Sequence, residues 1–530
     1  MPKILNWYNK DRVSQPGSVV LKGWLEQRKN EKDFAQRTVA QRNLQKRNFS
    51  AGLPSRTTAN FISYNTSLDQ DLRMALQTLR ARSRQLVQNN PYAAKFIKLV
   101  STNVVGHTGF TLQAQSGDVQ GGKFISDYLA NQAIESAFSD WSKRGICDVT
   151  GQLSFADACR LAIKAVARDG ELLARRVRGK DVNAYGYALQ LLDADRLPVW
   201  YNATAPNGNI IRMGVELDSY ARPVAYHLLR GHPGESIGDN TQQRFERVAA
   251  NDVIHIFLPE RAEQRRGFPW MTPALESMYH LGEFDQSALM AARKGADTLG
   301  FFISPDGTPP SADGIDDQGN PIEISVPGSY DTLPEGYDFK PYDSNYPNGF
   351  YADFHKQCLR RISSALNVAF HSLGNDLTEV SFSSIRSGTL EERDAWMEIQ
   401  DWFIESFVTT AFLDWLEMSL LMGAVKQIGG SALPVSKLEK FKAHTFQGRR
   451  WNWVDPRADV EAAVMAVNNG FKSRTQIISE QGLDRDQVWR QLADEQQQLD
   501  TLGIKIAPPP GTPPAVAPDA APANNGGAKK

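Results

Sequence analysis

Apolar positions recur at helical spacing in the first well-patterned part of the chain. Leu68, Leu72, Leu76 and Leu79 fall near one face, and Ser67 with Gln70 offers a capping box in front of them. Asn89-Asn90-Pro91 breaks that helix. Pro91 suits the first turn of a second one, which carries Phe96, Ile97, Leu99 and Val100 to a stop near Gly106. Two more helices are predicted, from Phe124 to Trp141 and from Phe155 to Arg168. Between Tyr187 and Phe257 the pattern turns to short strands. Asn207-Gly208 is a hairpin dipeptide, Val215 and Leu217 lead into a turn at Asp218 to Pro223, Val224 to Leu229 returns, and Val253 to Phe257 adds another strand.

Thr272-Pro273 then predicts a helix reaching Asp297. Residues 299–346, rich in Gly, Pro and Asp, predict a small mixed insertion. Phe350, Phe354, Cys358, Ile362, Leu366 and Phe370 follow at every fourth position. Each step of four advances about 40° around a helix, so this stripe should wrap obliquely across its neighbours. A polar, Ser-rich stretch from His371 to Gly388 reads as a loop. Thr389 and Glu392 then offer a capping box for a long aromatic helix through Trp396, Phe403, Phe407, Phe412 and Trp415. Trp451 to Pro456 precedes a helix with Val460, Val464 and Val467 that ends at Asn469-Gly470; Ser473 to Gly482 and Asp484 to Gln498 predict two more.

The fold class is therefore α+β and mostly helical. At 530 residues the chain holds about three or four structural units or one large interlocked body. Its 41% hydrophobic and 22% charged residues are the balance of a soluble globular protein. A net charge of -1 excludes a protein that coats DNA over its whole surface, while leaving room for local patches. Residues 1–60 are polar and basic and predict a partly mobile arm; residues 506–530 are Ala/Pro-rich and predict disorder. Phe403 to Val425 is the most apolar helical stretch, but Glu405, Asp414 and Glu417 argue against a membrane span. No secretion signal is expected at the N-terminus.

Cys147, Cys159 and Cys358 are too scattered for a disulfide framework or a zinc site. There is no G-x-x-x-x-G-K-[ST]; Gly470-Phe471-Lys472-Ser473 lacks the first glycine and the Gly-Lys adjacency, so no ATP motor is expected. No zinc-hydrolase, serine-hydrolase or dithiol motif is expected either, and no catalytic residue, metal or cofactor. His255 reads as a satisfied core or edge residue, and Asp193 with Asp195 as a strand end entering a turn rather than a metal pair. The tryptophans at 396, 402 and 415 read as core or subunit contacts rather than a base-stacking surface.

Several segments, taken in order, resemble the lambda-type phage portal family. They are Arg82-Ser83-Arg84 to Asn89-Asn90-Pro91 with Val104-Val105-Gly106, then Arg168-Asp169-Gly170-Glu171 and Leu192-Asp193-Ala194-Asp195-Arg196-Leu197. Gly214-Val215-Glu216 to Arg222-Pro223-Val224-Ala225-Tyr226 and Gly267-Phe268-Pro269-Trp270 continue the series. Trp451 to Pro456 and Phe471-Lys472-Ser473 before Gly482-Leu483-Asp484 close it. The resemblance covers roughly residues 60–503.

It implies a ring of identical subunits, usually twelve, around a central channel at one capsid vertex of the virion, assembled in the host cytoplasm. Residues 61–270 would form the wing, 271–298 and 347–370 two stem helices, and 299–346 the clip between them. Residues 371–388 would be a tunnel loop near the DNA, 389–425 a long helix above it, and 426–505 the remaining wing and crown. Candidate channel residues are Asn375, Asp376, Thr378, Glu379, Ser381, Ser383, Ser384 and Arg386: weakly binding side chains that would let DNA slide. Candidate subunit-packing residues are Phe350, Phe354, Ile362 and Leu366. The implied partners are double-stranded DNA without sequence preference, the terminase large subunit, the major capsid and scaffold proteins, and a head-tail adaptor. The other readings kept open are a tail adaptor or minor capsid protein, and a nucleic-acid-processing enzyme.

Overall fold

A computed structural model describes residues 26–33, 65–235, 245–297, 300–303, 314–315, 321–322, 338–341, 350–378, 381–451, 456–483 and 485–504. Two units are distinguished, Met1–Ser67 and Leu68–Lys530. In the first, 26–33 is helical; the rest of the expected basic arm lies outside the described residues, as do the expected tail and most of the 299–346 insertion.

Local signals fix its opening helices. Helix α1, Leu68–Asn89, stops where the sequence predicts, and α2, Pro91–Val104, follows at once. Asn90 caps α2 by accepting from the amides of Tyr92 and Ala93, while Pro91 has no amide hydrogen to satisfy. Strand β1 is Thr111–Ala114, and β2 (Gly117–Gln120) pairs with β3 (Lys123–Ser126) in a hairpin. The helix expected from Phe124 thus begins later: α3 is Tyr128–Trp141, capped by Asp127. Helix α4, Phe155–Asp169, has a full capping box between Ser154 and Asp157 and ends on Gly170 in the left-handed region.

Strands β4 (Leu172–Arg178) and β5 (Tyr187–Leu192) pair antiparallel, and β11 (Val253–Ile256) flanks β4. Strand β4 was not expected. Between β5 and β11 run β6 (Ala203–Thr204), β7 (Ile210–Arg212), β8 (Val215–Leu217), β9 (Pro223–Leu229) and β10 (Phe245–Ala249), ordered β10-β9-β8-β7-β6 in one antiparallel sheet. Leu173, Leu197, Val215, Leu228 and Val253 form the core shared by these two sheets.

Helix α5, Leu275–Asp297, follows a 3-10 turn at Thr272–Ala274. Of the insertion, β12 (Gly300–Ile303) pairs with β15 (Asp338–Pro341), and the two-residue β13 (Gly314–Ile315) with β14 (Pro321–Ile322). Helix α6 is Tyr351–Ala365 and α7 is Phe370–Gly374, separated by Asn367 at a positive φ. The expected single helix to 370 is therefore broken at Leu366. Helix α8 runs Phe382–Phe403, a π segment spans Ile404–Thr409, and α9 is Thr410–Leu421.

The π segment has a sequence cause. The five-residue step from Phe407 to Phe412 would carry the second ring about 140° around a regular helix. The wider π turn reduces that offset, and both rings are fully buried. They join Phe138, Trp141, Phe155, Phe403 and Trp415, with Phe138 edge-on to Phe412 at 5.4 Å and to Trp415 at 5.1 Å. The C-terminal part adds α10 (Leu438–Phe441) and β16 (His444–Gln447), which pairs with β1. Three helices follow, α11 (Pro456–Asn468), α12 (Arg474–Glu480) and α13 (Arg485–Leu502).

Candidate functional site

The most strongly built polar arrangement lies where the β-rich part meets the root of α5. Glu171, just before β4, is fully buried together with Arg266, while Arg80 of α1 is 1% exposed. The Glu171 carboxylate accepts from Arg80 Nη2 at 2.7 Å, Arg266 Nε at 2.8 Å, the Gly267 amide at 3.0 Å, and pairs with His255 Nε2 at 3.2 Å. Burial pushes its carboxyl up, but Arg266, Arg80 and His255 together outweigh that and hold it well below the usual range. Arg266 also donates to the carbonyls of Met213 at 2.6 Å and Leu197 at 2.8 Å. One guanidinium thus ties both sheets to the segment entering α5.

Backbone crowding fixes the same joint. Gly170 has φ +92°, and a Cβ there would lie 2.3 Å from the Phe268 Cα. A Cβ on Gly267 would sit 2.0 Å from the Gly170 carbonyl oxygen. Only two glycines let the chain cross itself here. Around it, Arg84 bonds Asp169 at 2.7 Å, Asp195 at 2.6 Å and Asp193 at 2.9 Å.

Helices α5 and α6 pack antiparallel. Phe284 stacks on Tyr351 at 5.9 Å and meets Phe354 edge-on at 5.2 Å, while Asp285 accepts from Tyr351 Oη at 2.9 Å and pairs with His355 at 3.2 Å. The four-residue stripe does wrap. Phe354 lies against α5 but stays 53% exposed and Phe350 is 79% exposed, whereas Ile362 is 1% and Leu366 6% exposed. Ile362 and Leu366 are thus inside this chain's own core and closed to a neighbour, which corrects half of the expected subunit-packing set. The obliquity of the stripe is the reason: eight residues beyond Phe354, Ile362 has rotated about 80° toward the interior.

The expected loop 371–388 is shorter than predicted. Its first residues belong to α7 and residues from Phe382 onward to α8, leaving 375–378 and Ser381 as the described residues between the helices. Thr389 is an interior helical position rather than a cap, because α8 starts seven residues earlier. The Ser/Gly run that looked like a break is held by tertiary contact, Arg386 Nη2 to Asp459 of α11 at 3.0 Å. Arg386 is therefore ion-paired within the chain. Asn375 takes a left-handed conformation, and its side chain accepts from Lys95 Nζ at 2.9 Å. Asp376 accepts from the Thr378 amide at 2.8 Å and faces Lys356 Nζ at 3.7 Å. Thr378 and Ser381 are exposed; Glu379 lies outside the described residues, as do the side chains of Ser383 and Ser384.

Among the described residues, Asp193, Asp195 and His232 could bring ligand atoms within 4.8 Å of one another. The Arg84 guanidinium already sits on both carboxylates, so the group reads as an ion-pair network. His255 is the satisfied partner that its sequence context predicts. Contrary to expectation, one G-x-S-x-G spacing occurs, Gly234-Glu235-Ser236-Ile237-Gly238. It joins two antiparallel strands, β9 and β10, rather than forming the strand-to-helix elbow that exposes a nucleophile, and Ser236 lies outside the described residues. Gly117 to Lys123 has a phosphate loop's glycine and lysine spacing, but Phe124 stands in the Ser/Thr place and the segment is the β2–β3 hairpin. No helix among the described residues is long and apolar enough to cross a membrane.

Residues 54–400 match a family model described as phage portal protein, lambda family. A probable portal protein of Halomonas phage phiHAP-1 is 36% identical over 434 residues, covering 81% of this chain and 82% of that protein. Portal protein B of Escherichia phage lambda is 22% identical over 458 residues, covering 80% and 84%. Among solved structures, a chain from the virion of a native gene transfer agent particle aligns with a TM-score of 0.39 at 14% identity, covering 80% of this chain and 95% of that one.

Proposed function

The chain belongs to the lambda family of phage portal proteins, and from that premise we propose that its copies close into a ring around a DNA channel at one capsid vertex, acting as a conduit rather than as an enzyme. The carrying observation is the family match over residues 54–400 together with 36% identity across most of a phage portal protein. The antiparallel α5/α6 pair supports the reading. It flanks the 299–346 insertion, is tied at its root to the β-rich part, and presents Phe350 and Phe354 outward. In a heterologous ring such apolar outer positions pack on the adjacent copy. The insertion then serves as the clip that docks the terminase large subunit and later a head-tail adaptor, and the remaining surface meets capsid and scaffold proteins.

Residues 375–381 are the segment assigned to the channel. Asp376, Thr378 and Ser381 offer DNA no net attraction, which suits sliding, whereas a cationic collar would hold phosphates. The test is negative-stain microscopy with native mass spectrometry of the purified chain. Rings with a central channel and about twelve copies are expected; a stable monomer or dimer across a range of salt would overturn the proposal.

A further inference from the structure

Helix α8 borders two oppositely charged patches, an acidic ridge of its own and a basic one where its Arg393 meets the segment that follows β16. On one, Glu391, Asp394, Glu398 and Asp401 recur at steps of three and four, and Glu405 continues the line into the π segment; all five are exposed. None makes an ion pair or side-chain hydrogen bond among the described residues. The ridge is about 21 Å long at 1.5 Å per residue. Neighbouring like charges at these spacings repel, each pair working against the helix.

About a third of a turn away, Arg393 lies beside the Trp451 ring, 5.9 Å from its centroid, with Arg449 at 5.7 Å. Two guanidiniums share one ring. Arg449 bonds only neutral acceptors, Asn103 Oδ1 at 3.0 Å and the Thr102 carbonyl. The Nε atom of Arg393 is buried without a hydrogen-bond partner among the described residues. Burial, and then the charge of Arg393, press the Arg449 guanidinium below its ordinary value, and burial lowers Arg393 despite the attraction of Asp459. A groove of about 430 Å³ opens beside Arg393, between α8, α11 and α12. The other cations lining it are spoken for: Arg386 by Asp459, and Lys472 by Glu480 at 2.9 Å.

We propose that the acidic ridge of one copy docks against the Arg393–Arg449 face of the next, an inference that rests on the ring reading above. Two different patches of one chain, opposite in sign, the acidic one without an ion pair among the described residues and the basic one with more guanidiniums than facing carboxylates, are what a head-to-tail contact between identical subunits requires. Charge complementarity of this kind fixes register and suppresses wrong pairings. It also explains why a self-repelling ridge is present: the repulsion is relieved on assembly.

The experiment uses two full-length variants. One is Glu398→Lys with Asp401→Lys; the other is Arg393→Glu with Arg449→Glu. Each alone places like charges across every contact, so each is expected to give monomers with wild-type circular dichroism and no rings. Mixed in equal amounts they restore opposite charges at both kinds of contact, and native mass spectrometry should show rings with even copy number and equal shares of the two variants. The four substitutions combined in one chain should also assemble, which guards against an Arg393 variant that merely fails to fold. Rings from the lysine variant alone, as would follow if the ridge faces DNA in the channel, would overturn the inference. So would folded variants that stay monomeric in the mixture and in the combined chain. A wild-type chain that never forms rings would overturn the portal-ring reading as well.

Discussion

Replacing Glu171 by Gln isolates the charge of the buried joint from its shape. The amide keeps the volume and one acceptor oxygen but removes the only carboxylate in contact with Arg266 among the described residues. Arg80 retains Asp195 at 3.3 Å and the Asp169 carbonyl at 2.9 Å, so its loss is partial. Arg266 is left fully buried with two backbone carbonyls and no carboxylate in contact, Asp195 acting on it only from a distance. Breaking a buried ion pair from one side costs about 3–5 kcal/mol, since the surviving charge remains desolvated. Removing both members, as in Glu171→Leu with Arg266→Met, should cost less than the single change, because no charge is stranded.

A chain of 530 residues need not unfold in one step. The assay is therefore urea unfolding combined with hydrogen exchange at β4 and β11, which bracket Glu171. In E171Q these strands should exchange at lower urea than the aromatic core around Trp415. The pH dependence adds a second arm. Glu171 is held below its unfolded value, so its contribution is fully present above about pH 4.3 and lost as pH falls through the depressed value. The gap between wild type and E171Q should stay constant from pH 8 to about 5 and close only in stronger acid. A single variant destabilised by less than about 1 kcal/mol, or a double variant worse than the single, would refute the account.

Two further expectations follow from burial. Ile362→Asp places an unpaired charge in the core, should cost several kcal/mol and leave little folded protein. Phe354→Asp should keep wild-type circular dichroism while losing rings, and normal rings from it would remove Phe354 from the subunit contact. Among the cysteines, burial and then Asp148 push the Cys147 thiol up to about 12, and burial raises Cys159 well above its ordinary value. At pH 8 an alkylating reagent should modify Cys358 alone, with all three reacting in denaturant; rapid native labelling of Cys147 would contradict its burial.

What the sequence disclosed depended on distance along the chain. The break at Asn90-Pro91 and the helices starting at Phe155 and near Ser473 were readable because the groups that start them lie within three residues of one another. The hairpin at Asn207-Gly208 was readable for the same reason. Strand β1 was not, since four residues with no clear alternation become a strand only by pairing with β16, more than three hundred positions away. Phe124 and Ile125 were absorbed into a helix because their apolar character continues into Leu129, although both belong to an exposed hairpin. The start of α8 was misplaced because the serines and glycine at 383–388 have weak helix propensity, and the contact that holds them, Asp459, is 73 residues on. The Glu171 joint was invisible for a stronger reason. Its partners lie 84 to 96 residues from it, and nothing in Arg168-Asp169-Gly170-Glu171 indicates that the last carboxylate is sealed from water.

That joint also bears on how the proposed ring could close. A closed ring requires the same rotation at every contact, so an angular error between the β-rich part and α5 is repeated at each subunit. A flexible hinge there would spread the ring sizes. Instead, Gly170 and Gly267 cross at a separation that no side chain could share, and every strong donor of Arg266 is engaged. Buried ionic networks are weak sources of net stability, because desolvation consumes most of the attraction. Their geometry is nevertheless demanding, since a shift of an ångström strands a charge. The network at Glu171 is therefore better understood as fixing an angle than as holding the fold together. The charged patches bordering α8 divide the labour with it: the joint sets the shape of one subunit, and the patches set its register on the next.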